Sequence, residues 1–474
     1  MPTTNSSQQP PDPHRWRILG VTLVVGFMAL LDVTIVNVAI PSMQTGLDTD
    51  TATIQWVVSG YALAFGLTLV AGGRLGDVHG RRALMMIGLV GFMVGSAASG
   101  LAFDARLVIA ARALQGLSAG LLTPQSSGLI QQLFRGKERG IAFGYFGTTV
   151  GIASAIGPIL GGALIALFGQ ENGWRYIFGI NVPIGLVALV FVWRMVPGPT
   201  GAATTKGERH IDVVGAVLLG AAVFSLLLPV VESERGPNPS LWLLLAVPVF
   251  VLTFLWWERR QKAQALAPLL DVSLLRGTRG FSAGVLIGTV YFTGFTGVLL
   301  VLSIFLQSGL HYTALQTGLM LTPFALGTAV MSPIAGRLVS RLHRKTTVGA
   351  IAVMMSGLLL VTLLLPDTAA EFRWPMLAVP LLLAGLGGGA VVSPNQTLAL
   401  MSVPPEMGGA AGAVVQTGQR IGSALGAALL VTAYEIASGR TSDPVMALKV
   451  TLGCSLAILL VALGAAIRDA VQEG

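Results

Sequence analysis

The sequence predicts an all-α polytopic membrane protein: two six-helix bundles with two extra central spans, fourteen spans in all. Three observations carry that prediction. The 474 residues are 53% hydrophobic and only 11% charged, with a mean hydropathy of +0.77, and a soluble domain of this size needs far more charge. Apolar windows as long as the hydrocarbon core of a bilayer recur along the chain, and only helices or closed barrels satisfy the backbone there. A sequence repeat relates the first six spans to the last six.

Residues 1–17 are polar, rich in Pro, Ser and Gln, and read as a tail. The first span, 18–40, is too long for a signal-peptide core. Spans follow at 53–73, 83–102, 106–133, 140–168 and 176–195, completing a first bundle over 18–196. The region 197–280 is a linker holding two extra spans, 212–231 and the short 241–257, which carries Pro248. A second bundle over 281–467 has spans at 281–305, 316–338, 347–365, 375–400, 410–436 and 446–467, before a tail at 468–474.

Charge sets the orientation. With the N-terminus in the cytoplasm, inward segments hold 21 of the 29 Lys and Arg, outward ones six. The positive-inside rule then places both termini in the cytoplasm of a cell membrane. The +8 balance does not point to nucleic acid, because the basic residues sit in short connections and form no single patch. Cys454 is the one cysteine, so an intramolecular disulfide is excluded.

Gly73-Arg74-Leu75-Gly76-Asp77-Val78-His79-Gly80-Arg81-Arg82 parallels Gly336-Arg337-Leu338-Val339-Ser340-Arg341-Leu342-His343-Arg344-Lys345 at an offset of 263. The same offset carries residues 18 and 53 onto 281 and 316, both span starts. Two six-span repeats are a transporter architecture, with a substrate cavity between them. Asp32 maps to Phe295 and Asp77 to Ser340, so these acids occur once in a fold built twice.

Asp32 sits within an apolar span, at a cost of about 2.5–3.5 kcal/mol. It is read either as a satisfied interhelical hydrogen bond or as a proton or substrate site. Arg112, in the fourth span, needs an anion, a carbonyl or water, and shares a helix face with Gln115. It serves either backbone carbonyls or the proton affinity of Asp32, the preferred reading. Gly116 and Gly120 permit close helix approach. In the fifth span Gly147, Gly151 and Ala155 repeat at four-residue spacing, before Gly157-Pro158 and Gly161-Gly162. That run reads as tight packing, a hinge, or both. Gly73, Asp77, Gly80, Arg81 and Arg82 form a gating candidate, in which Asp77 holds a charge contact and the arginines also set topology. Asn37, Gln115, Asn395, Gln396, Gln416, Gln419 and Arg420 are cavity candidates; the amides serve equally as helix–helix hydrogen bonds.

These motifs resemble the major facilitator superfamily, and within it the fourteen-span drug:proton antiporters. Leu31-Asp32 through Pro41 is similar to that family's first-span signature, and Gly73–Arg82 to the superfamily's loop after the second span. Arg112-Ala113-Leu114-Gln115-Gly116 resembles its fourth-span arginine motif, and Gly157-Pro158-Ile159-Leu160-Gly161-Gly162 its antiporter motif. Trp174 through Pro183 is similar to the fourteen-span members. Two positions depart: Ala153 stands where the fifth-span pattern has Gly, and Arg420 adjoins Ile421 where many relatives space them by one more.

The expected function is proton-driven export of small amphipathic or hydrophobic compounds, drugs and antibiotics among them, by rocking of two halves. A single buried acid favours neutral, weakly basic or monovalent substrates. A narrow exporter of one endogenous metabolite is the alternative within transport; a membrane-embedded enzyme or receptor is the alternative outside it. The chain has no HExxH and no phosphate-cradling Lys loop. The expected partners are a small-molecule substrate, protons and the lipid bilayer, without nucleic acid. Neither cofactor nor metal is expected, and the chain is expected to work as a monomer.

Overall fold

The computed structural model describes residues 12–198, 212–233, 239–264, 269, 279–404, 407–441 and 443–473. The described residues are helical, with no strand among them. The predicted tail at 1–11 and the linker residues 199–211, 234–238, 265–268 and 270–278 lie outside this set. Thirteen described helices are long and apolar enough to cross a membrane; Val213–Pro229 is a shorter apolar helix.

The first half comprises α1 (Arg15–Leu47), α2 (Thr51–His79), α3 (Arg81–Leu101), α4 (Ala105–Leu133), α5 (Gly136–Phe168), α6 (Gly173–Gly179) and α7 (Asn181–Met195). Two helices, α8 (Val213–Ser233) and α9 (Leu243–Ala263), follow. The second half is α10 (Arg279–Ile304), α11 (Ala314–Leu342), α12 (Lys345–Leu364), α13 (Pro375–Ala399), α14 (Gly408–Thr441) and α15 (Pro444–Glu473). The last helix thus continues through residues that hydropathy alone assigns to a tail, because periodicity outlasts the apolar window. The sixth span is interrupted at Ile180, giving α6 and α7 instead of one helix.

The repeat is visible in the helix ends. Shifted by 263, α2 coincides with α11. Asp50 caps α2 by accepting from Thr53 N at 2.7 Å, and its repeat counterpart Thr313 caps α11 in a capping box with Gln316. Each side-chain cap satisfies a backbone donor that the first turn leaves open.

Four helix pairs join the halves: α2 and α4 pack on α14, and α5 packs on α11 and α13. The repeated motif makes the α2–α14 and α5–α11 joints. A Cβ on Gly73 would meet the Gly409 carbonyl at 2.5 Å, and a Cβ on its counterpart Gly336 would strike the Gly140 carbonyl. Only glycine lets these backbones approach so closely. The α5 stripe continues the contact, with Gly144 against Pro333 and Gly151 against Ala329. On α14, Gly418, Gly422 and Gly426 pack on Thr289 and Thr293 of α10. That register turns Gln416 and Arg420 toward the first half.

Near the Gly80 and His343 connections, an apolar cluster draws Leu19, Phe134 and Phe143 together with Phe281, Leu400 and Val415. It closes the end that carries Arg81, Arg135, Lys137, Arg344 and Lys345, called here the basic end. The inserted α8 spans the joint between the halves: Val223 and Leu227 cluster with Leu63 of α2 and Ala424 of α14.

Candidate functional site: a buried ion pair and an interhelical lock

Five helices of the first half converge on Asp32. Its side chain is 0% exposed and that of Arg112 1% exposed. Arg112 Nη1 donates to Asp32 Oδ2 at 2.5 Å. Asn181 Nδ2 donates to Asp32 Oδ1 at 2.8 Å, and Gln115 Nε2 reaches the same oxygen at 3.3 Å. Ser96 of α3 accepts from both amides, at 2.6 Å from Gln115 and 3.3 Å from Asn181.

Local sequence explains the convergence. A Cβ on Gly116 would strike the Tyr61 carbonyl, and one on Gly120 would meet the Phe65 carbonyl at 2.7 Å, so α4 lies tight on α2. That proximity lets Arg112 Nε donate to the Val57 carbonyl at 3.0 Å and sets its guanidinium over the Tyr61 ring, 4.2 Å from the centroid. Gly95 of α3 leaves room for Gln115, whose Cγ would lie 2.7 Å from an added Cβ. The break at Ile180 starts α7 at Asn181 and aims its amide at Asp32.

The carboxylate therefore meets one cation and two amide donors with water excluded. Removing one partner of such a pair costs about 3–5 kcal/mol, because the other charge stays buried and uncompensated. A proton on Asp32 would release Arg112 from its counter-charge while leaving it the Val57 carbonyl and Gln115 Oε1.

A second cluster sits at the basic end. Asp77 accepts from the backbone N–H of Gly409 at 3.1 Å and of Ala410 at 2.9 Å. A carboxylate of the first half thus occupies the N-terminus of α14 in the second, where the helix dipole favours an anion. Arg81 donates to Asp77 at 2.8 Å and to Gln132 at 2.7 Å. Gly80, with φ +94°, makes the turn between α2 and α3. Gln131 reinforces the closure by donating to the Leu400 carbonyl at 2.7 Å.

The remaining sequence candidates are dispersed. Gln416 crosses to Ser127 of α4 at 2.7 Å. Arg420 lies 4.5 Å over the Phe65 ring. Asn395 donates to the Gly284 carbonyl within the second half at 3.0 Å. Gln396 and Gln419 are buried, and Asn37 is exposed, away from the Asp32 cluster. A Cβ on Gly157 would run into the Thr34 side chain, and one on Gly161 would meet Ile35 at 3.0 Å, so both fix α5 on α1. Pro158 instead faces Gly318 of α11. Gly162 has open space around it, and Arg82 is half-buried outside the Asp77 cluster.

Sequence reasoning missed Asn181, Ser96 and Tyr61 as members of the site. Only Asn181 left a signal, as the polar residue before Pro183 in an otherwise apolar span. It also missed two buried acids of the inserted helices: Asp212, which accepts from Trp257 Nε1 at 2.8 Å, and Glu258.

Comparison with known proteins agrees with this architecture. The chain is 36% identical over 438 residues to the probable actinorhodin transporter of Streptomyces coelicolor, covering 91% of this chain and 75% of that one. It is 35% identical over 447 residues to the puromycin resistance protein pur8 of Streptomyces alboniger, covering 93% and 86%. The human organic anion transporter MFSD10 has the same fold, with a TM-score of 0.68 at 17% identity, covering 97% of this chain and 100% of that one. Residues 22–427 match the family described as Major Facilitator Superfamily. The chain is a multi-pass membrane transporter, not an enzyme, and belongs to the major facilitator superfamily.

Proposed function

We propose that this chain is a proton-coupled exporter of small amphipathic or hydrophobic compounds, antibiotics among them. The observation that carries the reading is Asp32, a carboxyl 0% exposed in the interior of a membrane helix and held by Arg112, Gln115 and Asn181. A protonatable group is what coupling to a proton gradient requires. Its repeat counterpart is Phe295, so the fold does not itself demand an acid there. The printed names of the two Streptomyces relatives, one a transporter and one a resistance protein, support export as the direction.

In this reading the halves rock about the α2–α14 and α5–α11 joints. The state described here is closed at the basic end, which the positive-inside rule puts in the cytoplasm of a cell membrane, with the protein acting as a monomer. Asp32 takes a proton from the outer side, Arg112 is released, and the basic end opens to discharge the proton and admit substrate. One charge crossing 100 mV supplies about 2.3 kcal/mol, enough for a concentration ratio of about 50. No cofactor takes part. Gly157, Pro158 and Gly161 serve as the outer bearing, and Gly73, Asp77, Gly80 and Arg81 as the inner lock. An exporter confined to one endogenous metabolite would use the same machinery and differ only in substrate range.

The test is uncoupler-sensitive efflux of lipophilic cations and neutral antibiotics from an efflux-deficient bacterial host, wild type against Asp32→Asn at matched expression. Export by wild type and none by the variant is the expected result. Normal uphill export by Asp32→Asn would place coupling elsewhere and defeat the assignment.

A further inference from the structure

The charges between the two halves do not cancel. Asp32 and Arg112 neutralise each other. Arg420 lies in the middle of α14 on the face turned toward α2, its guanidinium 4.5 Å over the Phe65 ring. Among the described residues it has neither a carboxylate partner nor a hydrogen-bond acceptor. An arginine stays protonated in a protein and brings five donors, so within a membrane it demands an anion, a carbonyl or water. A phenyl face answers the charge and none of the donors. Arg420 is partly buried, on the face of α14 turned toward the first half. The neighbouring Gln419 is buried, with its Nε2 lacking an acceptor among the described residues.

A column of side chains connects this cation to the proton site. Arg112 covers Tyr61 at 4.2 Å, Tyr61 stacks on Phe65 with centroids 6.1 Å apart, and Phe65 carries Arg420. The column starts at Asp32 in the first half and ends in the second.

We infer that Arg420 is the substrate anion site of the translocation pathway, and that the preferred substrates are amphipathic aromatic compounds bearing one carboxylate or phenolate. The anionic group takes the donors of Arg420, and the aromatic body lies beside Phe65 and Tyr61. Within the neutral, weakly basic or monovalent substrates favoured by counting acids alone, it selects the monoanions. It rests on the export reading and adds a consequence to it. Exchanging one monoanion outward for one proton inward moves two charges in the direction a negative interior favours, whereas exchanging a monocation moves none.

The test compares two xanthene dyes of like shape, fluorescein as its mono-O-methyl ether, which carries a single carboxylate, and cationic rhodamine 6G. Their binding to the purified full chain in detergent is read by fluorescence anisotropy for wild type, Arg420→Gln and Arg420→Lys. Wild type is expected to favour fluorescein; Arg420→Gln should lower fluorescein affinity at least about tenfold and change rhodamine 6G less than about twofold. Arg420→Lys keeps the charge and should fall between wild type and Arg420→Gln for fluorescein alone. Equal losses for both dyes would make Arg420 a structural cation–π contact, and a wild type that favours rhodamine 6G would overturn the inference outright. Binding needs no proton gradient, so this result is independent of the Asp32→Asn efflux assay. Export insensitive to uncoupler would defeat proton coupling and leave the anion site standing.

Discussion

Asp77→Asn isolates the lock at the basic end. The asparagine keeps the shape and an acceptor oxygen for one of the two α14 N–H groups, so the chain should fold. The variant loses the charge at the helix N-terminus and the ion pair with Arg81, which retains Gln132. Hydrogen bonds to a charged group are worth about 1.5–3 kcal/mol and neutral ones about 0.5–1.5. Two such bonds weakened in a site where Asp77 is only 1% exposed amount to about 2 kcal/mol against the closed state, a shift of about thirtyfold in the closed-to-open ratio. The assay is a pair of spin labels at His79 and its repeat counterpart Leu342, both exposed, with exposed Cys454 replaced by Ala. Their distance distribution reports separation of the halves at that end. The variant should gain a longer-distance population absent or minor in the parent. An unchanged distribution would mean that the apolar cluster and Gln131 hold the end shut alone, and that Asp77 is no gate.

Two further outcomes follow from the site and its bearing. Gly157→Ala should abolish export at matched expression, since its methyl collides with Thr34 and comes within 3.2 Å of Ile35 N, whereas Gly162→Ala should export normally because nothing lies within 4 Å. Equal behaviour of the two would show that the bearing tolerates side chains. Asn181→Ala removes the 2.8 Å donor to Asp32 and should lower stability by about 1–3 kcal/mol, read as a lower melting temperature in detergent; an unchanged melting temperature would remove Asn181 from the charge-holding set.

What the sequence made legible follows from energetic cost. A carboxylate and a guanidinium in apolar spans are expensive, so Asp32 and Arg112 stand out and find each other in the structure. Glycines that repeat at the pitch of a helix mark contact stripes, and α5 uses its stripe against α11. Other parts carry no such mark. The partners of Asp77 are two backbone N–H donors, at Gly409 and Ala410, and backbone donors leave no trace in residue type. Asn181 is one amide whose relevance depends on a helix break at Ile180. Asp212 opens one apolar window and Glu258 lies just past another, where a hydropathy count treats any acid as solvated, yet the hairpin buries both to 1% exposure.

The repeat gives one further argument about Asp32. The 263-residue offset carries Asp32 to Phe295 and Tyr61 to Phe324. In the second half those two rings stack directly at 5.4 Å; in the first, Arg112 links the corresponding pair by binding one and covering the other. The same positions thus meet in both halves, once through charge and once through apolar contact, and the fold accepts either. A buried ion pair replaced by apolar residues of similar volume is often neutral or stabilising by about 1–4 kcal/mol, while loss of one partner costs about 3–5. Arg112→Met alone should therefore unfold at lower temperature than wild type, and the double variant Asp32→Leu with Arg112→Met should recover most of that loss while exporting nothing against a gradient. If the double variant is as unstable as the single one, the ion pair is a structural necessity of the first half. Its place in proton coupling would then need evidence other than the asymmetry of the repeat.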